Sequence, residues 1–373
     1  MLTCDIVIIG GGIAGLWTLN RLRAQGYHAI LLEKNALGAG QTIASQGIIH
    51  GGIKYALTGE LSKSSVEISD MPAIWQACLN GKGEIDLSAV NILSKHYYLC
   101  SQQKITQRIT QFFAQKALHS DSEALDKTQY PDFFQNKQFT GLLTQVHECV
   151  LDVPSLIASL AKNMMPYIFK ANDCVLVKDH DHYSVKIDNI TLNPKHIILT
   201  AGEGNAQLLP EVAMQTRPLQ MVILKADNLP NLYVHCVGLS ANPVLTITSH
   251  RGHDGKTIWY LGGQLAEEGV HRDKDAQIHA AQELIQKQFP WFTLENPQWD
   301  TLFINRAEGF NHGKRPESVM VNTLDNVIVA WPTKLTFAPL LADEICKRLS
   351  APNDINENLL IDLAKPNIAN TVW

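Results

Sequence analysis

Three glycines, Gly10, Gly12 and Gly15, and one carboxylate, Glu33, have the types and spacing that most directly imply chemistry in this chain. In a G-x-G-x-x-G turn the first glycine permits the tight turn and the second lets a pyrophosphate approach the backbone. The third lets the following helix pack closely on the preceding strand. A helix opening at such a turn offers unpaired N–H groups, here on Ile13 and Ala14, and a partial positive charge to phosphates. A carboxylate at Glu33 is placed to accept hydrogen bonds from ribose hydroxyls. The chemistry is dinucleotide binding, and the plainer alternative is a structural glycine turn.

The elements that must position these residues are legible around them. Residues 5–9 (DIVII) form a short apolar run rich in β-branched residues. Residues 13–23 carry apolar side chains at helical spacing, among them Ala14, Trp17 and Leu19, and Gly26 closes the segment. Residues 28–32 (HAILL) read as a second buried strand that ends at Glu33. Strand, glycine turn, helix, strand and acid make one βαβ unit.

Bulk properties narrow the class. The 373 residues are 45% hydrophobic and 18% charged, which suits a globular chain long enough for two domains. A net charge of −5 without Lys/Arg blocks argues against nucleic acid as a partner. Seven scattered cysteines without a C-x-x-C pair fit reduced thiols in a cytoplasmic protein better than a disulfide framework or a zinc site. The first apolar run lacks a basic leader and runs into glycines, so it reads as a strand and not a signal peptide. No stretch reaches the about 18 apolar residues of a membrane span, which leaves peripheral contact as the membrane arrangement open to the chain. The 179–183 segment (DHDHY) invites a metal reading but reads better as a hairpin turn; no metal is expected.

NAD and FAD share the glycine fingerprint. After Lys34 the chain makes a glycine-, Ser- and Thr-rich excursion over residues 38–52 (GAGQTIASQGIIHGG) instead of continuing into further βα units. Such a segment suits the second, bulkier half of a larger cofactor. With DIVIIGGGIAGL, LLEK and TIASQGIIHGGIKY on view, the chain resembles the D-amino-acid oxidase and glycerol-3-phosphate dehydrogenase superfamily, including its L-2-hydroxyglutarate dehydrogenase branch. Further similar segments are CVLDVPSLIASL (149–160), IILTAGEG (197–204), TRPLQMVIL (216–224) with Arg217 and Gln220, residues 245–263, and NVIVAWPTKLTFAP (326–339).

That resemblance implies FAD as cofactor and an α/β fold. A Rossmann-like FAD domain (1–75, 150–210, 320–373) would intertwine with a substrate domain (76–149, 211–319) on a mixed or antiparallel sheet. Thr42, Ser45, Gln46 and Gly47 are expected beside the cofactor, as are Lys34, Val175, Ala201 and Gly202. Lys334, Leu335 and Thr336 are expected to cover the flavin ring. Thr333 or Thr336 would cap a helix starting near Pro339, and Lys334 would add positive charge there or remain a solvated loop lysine.

Three arginines are candidates to grip a substrate anion, a task suited to a planar guanidinium. Arg306 is preferred because it lies ahead of the last strand and its distance to Ala338-Pro339 resembles that of the family arginine that grips a substrate carboxylate, against a structural salt bridge with Glu308. Arg315, in an R-P pair that the family pattern also contains, and Arg251 compete with it. His50 follows GII and precedes two glycines; it is a candidate to orient or deprotonate a substrate hydroxyl, with a structural histidine as the alternative and covalent flavin attachment as a third. Lys54 and Tyr55 lie on the same segment.

The reaction implied is hydride transfer from a small anionic hydroxy- or amino-substrate, of the 2-hydroxy acid, amino acid or glycerol 3-phosphate type, to flavin. Oxygen, a quinone or a carrier protein would then accept the electrons. Two other readings compete: an oxidase acting on a modified tRNA nucleoside, and a non-catalytic flavin-binding redox partner.

Overall fold

The structure, a computed structural model, describes residues 4–51, 68–101, 122–238, 243–352 and 363–373. Strands Ile6–Ile9 and Ala29–Glu33 are buried along nearly their whole length, as aliphatic runs must be when both faces of a parallel sheet are covered. They lie inside a six-stranded sheet in the order Met320–Leu324, Val327–Trp331, His196–Leu199, Ile6–Ile9, Ala29–Glu33, Ile168–Lys170. All pairs are parallel except Met320–Leu324, which runs antiparallel to its neighbour. Ile9 is in register with both Leu199 and Leu32. The chain therefore leaves three adjacent strands at one level, at Gly10, Glu33 and Thr200.

Helix Ile13–Ala24 packs on this sheet through Ile13, Leu16, Trp17 and Leu19, beside helices Val153–Lys162 and Ala338–Cys346. Its Arg21 is buried and paired with both Glu84 and Asp343, so the cation that the helix carries inward is compensated. A three-stranded meander (Cys174–Asp179, His182–Ile187, Ile190–Leu192) covers the opposite face, with Tyr183, Val185 and Leu192 against Val7, Ile30 and Leu32. The DHDHY segment is the hairpin turn of that meander: His182 pairs with Asp179, and His180 takes a φ of 54°.

The second large sheet has eight strands in the order Gln298–Gly309, Met214–Lys225, Thr257–Gly262, Pro243–Arg251, Tyr233–Val237, Tyr97–Ser101, Leu142–Val146, Ser122–Ala124. Its pairs are antiparallel apart from Tyr233–Val237 with Tyr97–Ser101. One face is packed under helix Lys274–Gln288 and an aromatic cluster around Phe134, Trp259 and Phe289. Strand alternation sends Val222 and Leu224 into that core while Leu219 and Met221 point to the other side. Every strand of the six-stranded sheet falls within 1–75, 150–210 and 320–373, and every strand of the eight-stranded sheet within 76–149 and 211–319.

Residues 363–373 strap the two parts together. Lys170 N–H donates to Ala364 O, and Leu37 exchanges backbone bonds with Asn367 and Ala369. The segment then crosses to the larger sheet, where the Trp373 ring lies 4.3 Å from His250 and 4.9 Å from Tyr260. Among the described residues no helix is long and apolar enough to cross a membrane.

Candidate cofactor and substrate site

A cavity of about 720 Å³ runs between the two sheets. At one end it is built from backbone. Gly10 turns with a φ of +111°, and a Cβ there would come within 2.6 Å of the Thr200 and Ala201 backbone. Thr200 Oγ1 donates to Gly10 O at 3.0 Å, clamping the turn to the end of the next strand. Gly15 lies beneath the cavity, and a Cβ there would meet Gly10 O at 2.0 Å, so the third glycine is what lets the helix sit on the turn. Gly12 is different: only Thr42 Oγ1, at 3.1 Å, would meet its Cβ, and Gly12 itself lines the cavity.

Helix Ile13–Ala24 has no side-chain N-cap and no acidic residue in its first turn. Ile13 N–H donates to Thr42 Oγ1 at 3.2 Å. The N–H of Ala14 has no intrahelical acceptor, and Ala14 stands at the cavity wall. Glu33 is oriented by two backbone donors, Gly11 N at 2.6 Å and Asn35 N at 2.7 Å. It lines the cavity with Lys34 and Cys174. This end fits a pyrophosphate and a ribose: bare backbone, a helix N-terminus and a fixed carboxylate.

The middle and far end are made of side chains. Thr42, Ser45, Gln46 and Gly47 line one wall, and Ala201 and Gly202 another. Gln46 is tied to the larger sheet through Thr248 Oγ1 (3.3 Å) and Tyr260 O (3.1 Å). Lys334 and Leu335 lie opposite, with Lys334 Nζ 4.5 Å from the Phe337 ring centre. Thr336 is buried behind them; its Oγ1 accepts from His50 N–H at 2.7 Å and its carbonyl from Trp75 Nε1 at 2.9 Å. Neither threonine caps the Ala338–Cys346 helix. Thr333 sits at a φ of 61° and donates to Ser318 O, while the hydroxyl of Thr336 is committed to His50.

Arg306 and Arg315 both reach the cavity. Arg306 does not pair with Glu308. That carboxylate takes two bonds from Arg217, at 2.8 and 2.6 Å, across the strand pair. Arg306 instead donates from Nε to Arg217 O at 3.1 Å and approaches Glu267 at 3.4 Å. Burial first, then repulsion from Arg217, hold the Arg306 guanidinium down to about 10, with Arg315 adding repulsion and Glu267 opposing it. At neutral pH it remains a cation in a partly desolvated place, which strengthens any anion contact.

Two expected residues are not brought to the cavity. Arg251 is exposed at the end of its strand, against the turn at Gly255. Val175 is 55% exposed beside a separate cavity of about 320 Å³; its neighbour Cys174 lines both that cavity and the main one. Lys54 and Tyr55 lie outside the described residues. The sequence reading missed Gln41, Met221, His235, Thr246 and Glu267, all on the cavity wall. A signal existed for His235, a polar residue inside an apolar strand (YVHCV), but nothing local tied it to the glycine turn.

The fold and cavity together define a two-sheet, dinucleotide-dependent oxidoreductase architecture. The chain belongs to the DAO family of FAD-dependent oxidoreductases, whose family model matches residues 5–347. It is 40% identical to the probable FAD-dependent oxidoreductase PA4991 of Pseudomonas aeruginosa, over 100% of this chain and 98% of that protein. The crystal structure of that FAD-dependent oxidoreductase superposes with a TM-score of 0.86, 37% identity and the same coverage of both chains. Glycine oxidase from Geobacillus kaustophilus (TM-score 0.68, 12% identity, 95% of this chain and 97% of that one) has the same fold. So does the FAD-bound L-alpha-glycerophosphate oxidase of Mycoplasma pneumoniae (0.67, 17%, 95% and 97%). The protein is an FAD-dependent oxidoreductase and FAD is its cofactor.

Proposed function

We propose that this enzyme oxidises a small anionic substrate bearing a C–H bond next to a hydroxyl or amine, gripping the anion with Arg306 or Arg315. The observation that carries this reading is the convergence of two guanidinium groups on the wall of a cavity whose glycine-turn end fits a pyrophosphate. Arg217 neutralises Glu308 by a two-pronged ion pair, so that carboxylate does not compete for Arg306. Glu267 is the remaining anionic neighbour, and at 3.4 Å it orients Arg306 without a short bond. FAD, when bound, accepts the hydride of the C–H bond. The protein's share is to hold the anion, to place the C–H bond beneath apolar Leu219, Met221 and Ile304, and to keep water away from the reacting carbon.

Names among proteins of this fold, glycine oxidase and L-alpha-glycerophosphate oxidase, suit a small anion as substrate. The test is anaerobic mixing of the holoenzyme with 2-hydroxy acids, amino acids and glycerol 3-phosphate. Bleaching of the flavin by at least one anionic compound, and not by its uncharged ester or alcohol, is expected. Equal bleaching by charged and uncharged forms would remove the arginine assignment.

A further inference from the structure

A carboxylate outside the cavity wall bears on the chemistry inside it. Segments 47–51 and 148–151 run side by side: Ile48 bridges Val150, Ile49 N–H donates to Cys149 O, and Leu151 N–H donates to Gly47 O. This pairing sets Glu148 against His50. Glu148 is 4% exposed, and its Oε2 lies 3.7 Å from His50 Nδ1. Gly51 leaves the room, since a Cβ there would come within 2.7 Å of Glu148 Oε1. Burying a carboxylate costs several kcal/mol unless charge or hydrogen bonds compensate it; the Tyr97 phenol hydrogen-bonds to Glu148, and His50 is the neighbour that can carry the opposite charge.

The imidazole is held on its other sides as well. Its backbone is fixed to Thr336 Oγ1. The Tyr97 ring stands edge-on at 6.2 Å and the His235 ring stacks at 5.8 Å, with His235 Nδ1 in turn 2.9 Å from Thr246 Oγ1. Burial first, and then the Glu148 carboxylate, push the Tyr97 phenol well above its ordinary value, so it stays neutral. The titratable groups around His50 are thus Glu148, Tyr97 and His235, with Lys334 two residues before Thr336 on the facing loop.

We propose that Glu148 is a positioning residue for substrate deprotonation, holding His50 Nδ1–H toward its carboxylate so that Nε2 takes the proton from the substrate heteroatom. The inference rests on the oxidation reading above. As the C–H pair leaves as hydride to the flavin, the heteroatom–H bond breaks. Its electron pair closes the C=O or C=N bond, and the proton stays on His50 as imidazolium. The buried carboxylate stabilises that cation and selects the tautomer that can receive the proton.

The test compares wild type with E148Q and E148D as FAD-loaded proteins. Histidine-selective NMR titration of the oxidised holoenzyme, with His50 assigned from H50N, needs no substrate. E148Q should lower the His50 midpoint by about one pH unit, because the neighbouring negative charge is gone, and E148D should restore most of it. In anaerobic rapid mixing, E148Q should move the acid limb of flavin reduction to lower pH by the same amount. It should also slow the limiting reduction rate roughly tenfold, with KM nearly unchanged. A His50 midpoint identical in wild type and E148Q, or equal shifts in E148Q and E148D, would overturn the proposal. If no compound of the panel reduces the flavin, the substrate reading fails on its own, and the NMR comparison still decides the Glu148–His50 coupling.

Discussion

The two ends of the cavity are built by opposite means. The nucleotide end is backbone, supplied mostly by one continuous stretch from Gly10 to Glu33 and clamped by Thr200. The rest of the cavity, where we propose that the substrate binds, is side chains, drawn from segments around His50, Met221, His235, Arg306 and Lys334 that are far apart in sequence. At the first end, adding an atom does damage, because the glycines are there to keep space empty. At the second, removing or reshaping an atom does damage, because function lies in the placed groups. A binding site for a common cofactor part is thus local and steric, and a site for a particular substrate is dispersed and electrostatic.

The largest effect should come from adding atoms at the nucleotide end. Gly10→Ala combines a positive φ with a clash against backbone at 2.6 Å, which should cost about 3 kcal/mol or more and leave the purified protein without FAD. Gly12→Val separates the two reasons for glycine. Its side chain meets little protein, so the chain should still unfold cooperatively while flavin released on denaturation falls to near zero. Normal flavin content in Gly12→Val would mean that the backbone there does not approach the pyrophosphate.

Next is the substrate end. Arg306→Lys keeps the charge but loses the fork, and kcat/KM for the anionic substrate should fall about 100-fold, equivalent to about 2.7 kcal/mol. The absorption spectrum of bound FAD should not change. If Arg306→Lys is normal and Arg315→Lys is impaired, the anchor is Arg315; if both behave like wild type, the anion reading is wrong.

Glu33→Gln tests the carboxylate at the nucleotide end. It removes the charge and turns an amide N–H₂ toward Gly11 N or Asn35 N, both donors to the present carboxylate. FAD affinity, measured by titrating apoprotein, should drop by about 1–3 kcal/mol. Affinity within experimental error of wild type would exclude Glu33 as the ribose acceptor.

Away from the cavity, a pH dependence is confined to the larger sheet. Burial holds His250 down to about 3, beneath the Trp373 ring and 2.9 Å from Thr248 Oγ1. The unfolded chain binds this proton below about 6.5 and the folded one does not. The contribution is therefore fully present above that value and is lost as pH falls toward 3, at up to about 1.4 kcal/mol per pH unit. Urea midpoints for wild type and His250→Gln should converge between pH 6.5 and 4.5. Parallel pH profiles for the two proteins would assign the acid sensitivity elsewhere.

Much of the nucleotide end was readable from residues 5–33 alone. A β-branched run, a glycine turn, a helical period and a second run ending in an acid each follow from local sterics, and together they leave few arrangements. The family resemblance extended that reading to Thr42, Gln46, Ala201 and Lys334, which the fold does bring to the cavity. What no local pattern contained was pairing across long separations. The choice of Arg217 by Glu308 depends on the register of two twelve-residue strands, and that of Glu267 by Arg306 on the short helix Gln264–Glu268 that packs beside them. The use of Thr336 to hold His50, instead of to cap a helix, depends on which loop covers residues 47–51. Nothing local in the sequence marks Glu148; its place beside His50 follows from the pairing of the 47–51 and 148–151 segments. Such contacts are decided only when sheets close on one another, because a side chain's charge and reach are written in the sequence but its neighbour is not.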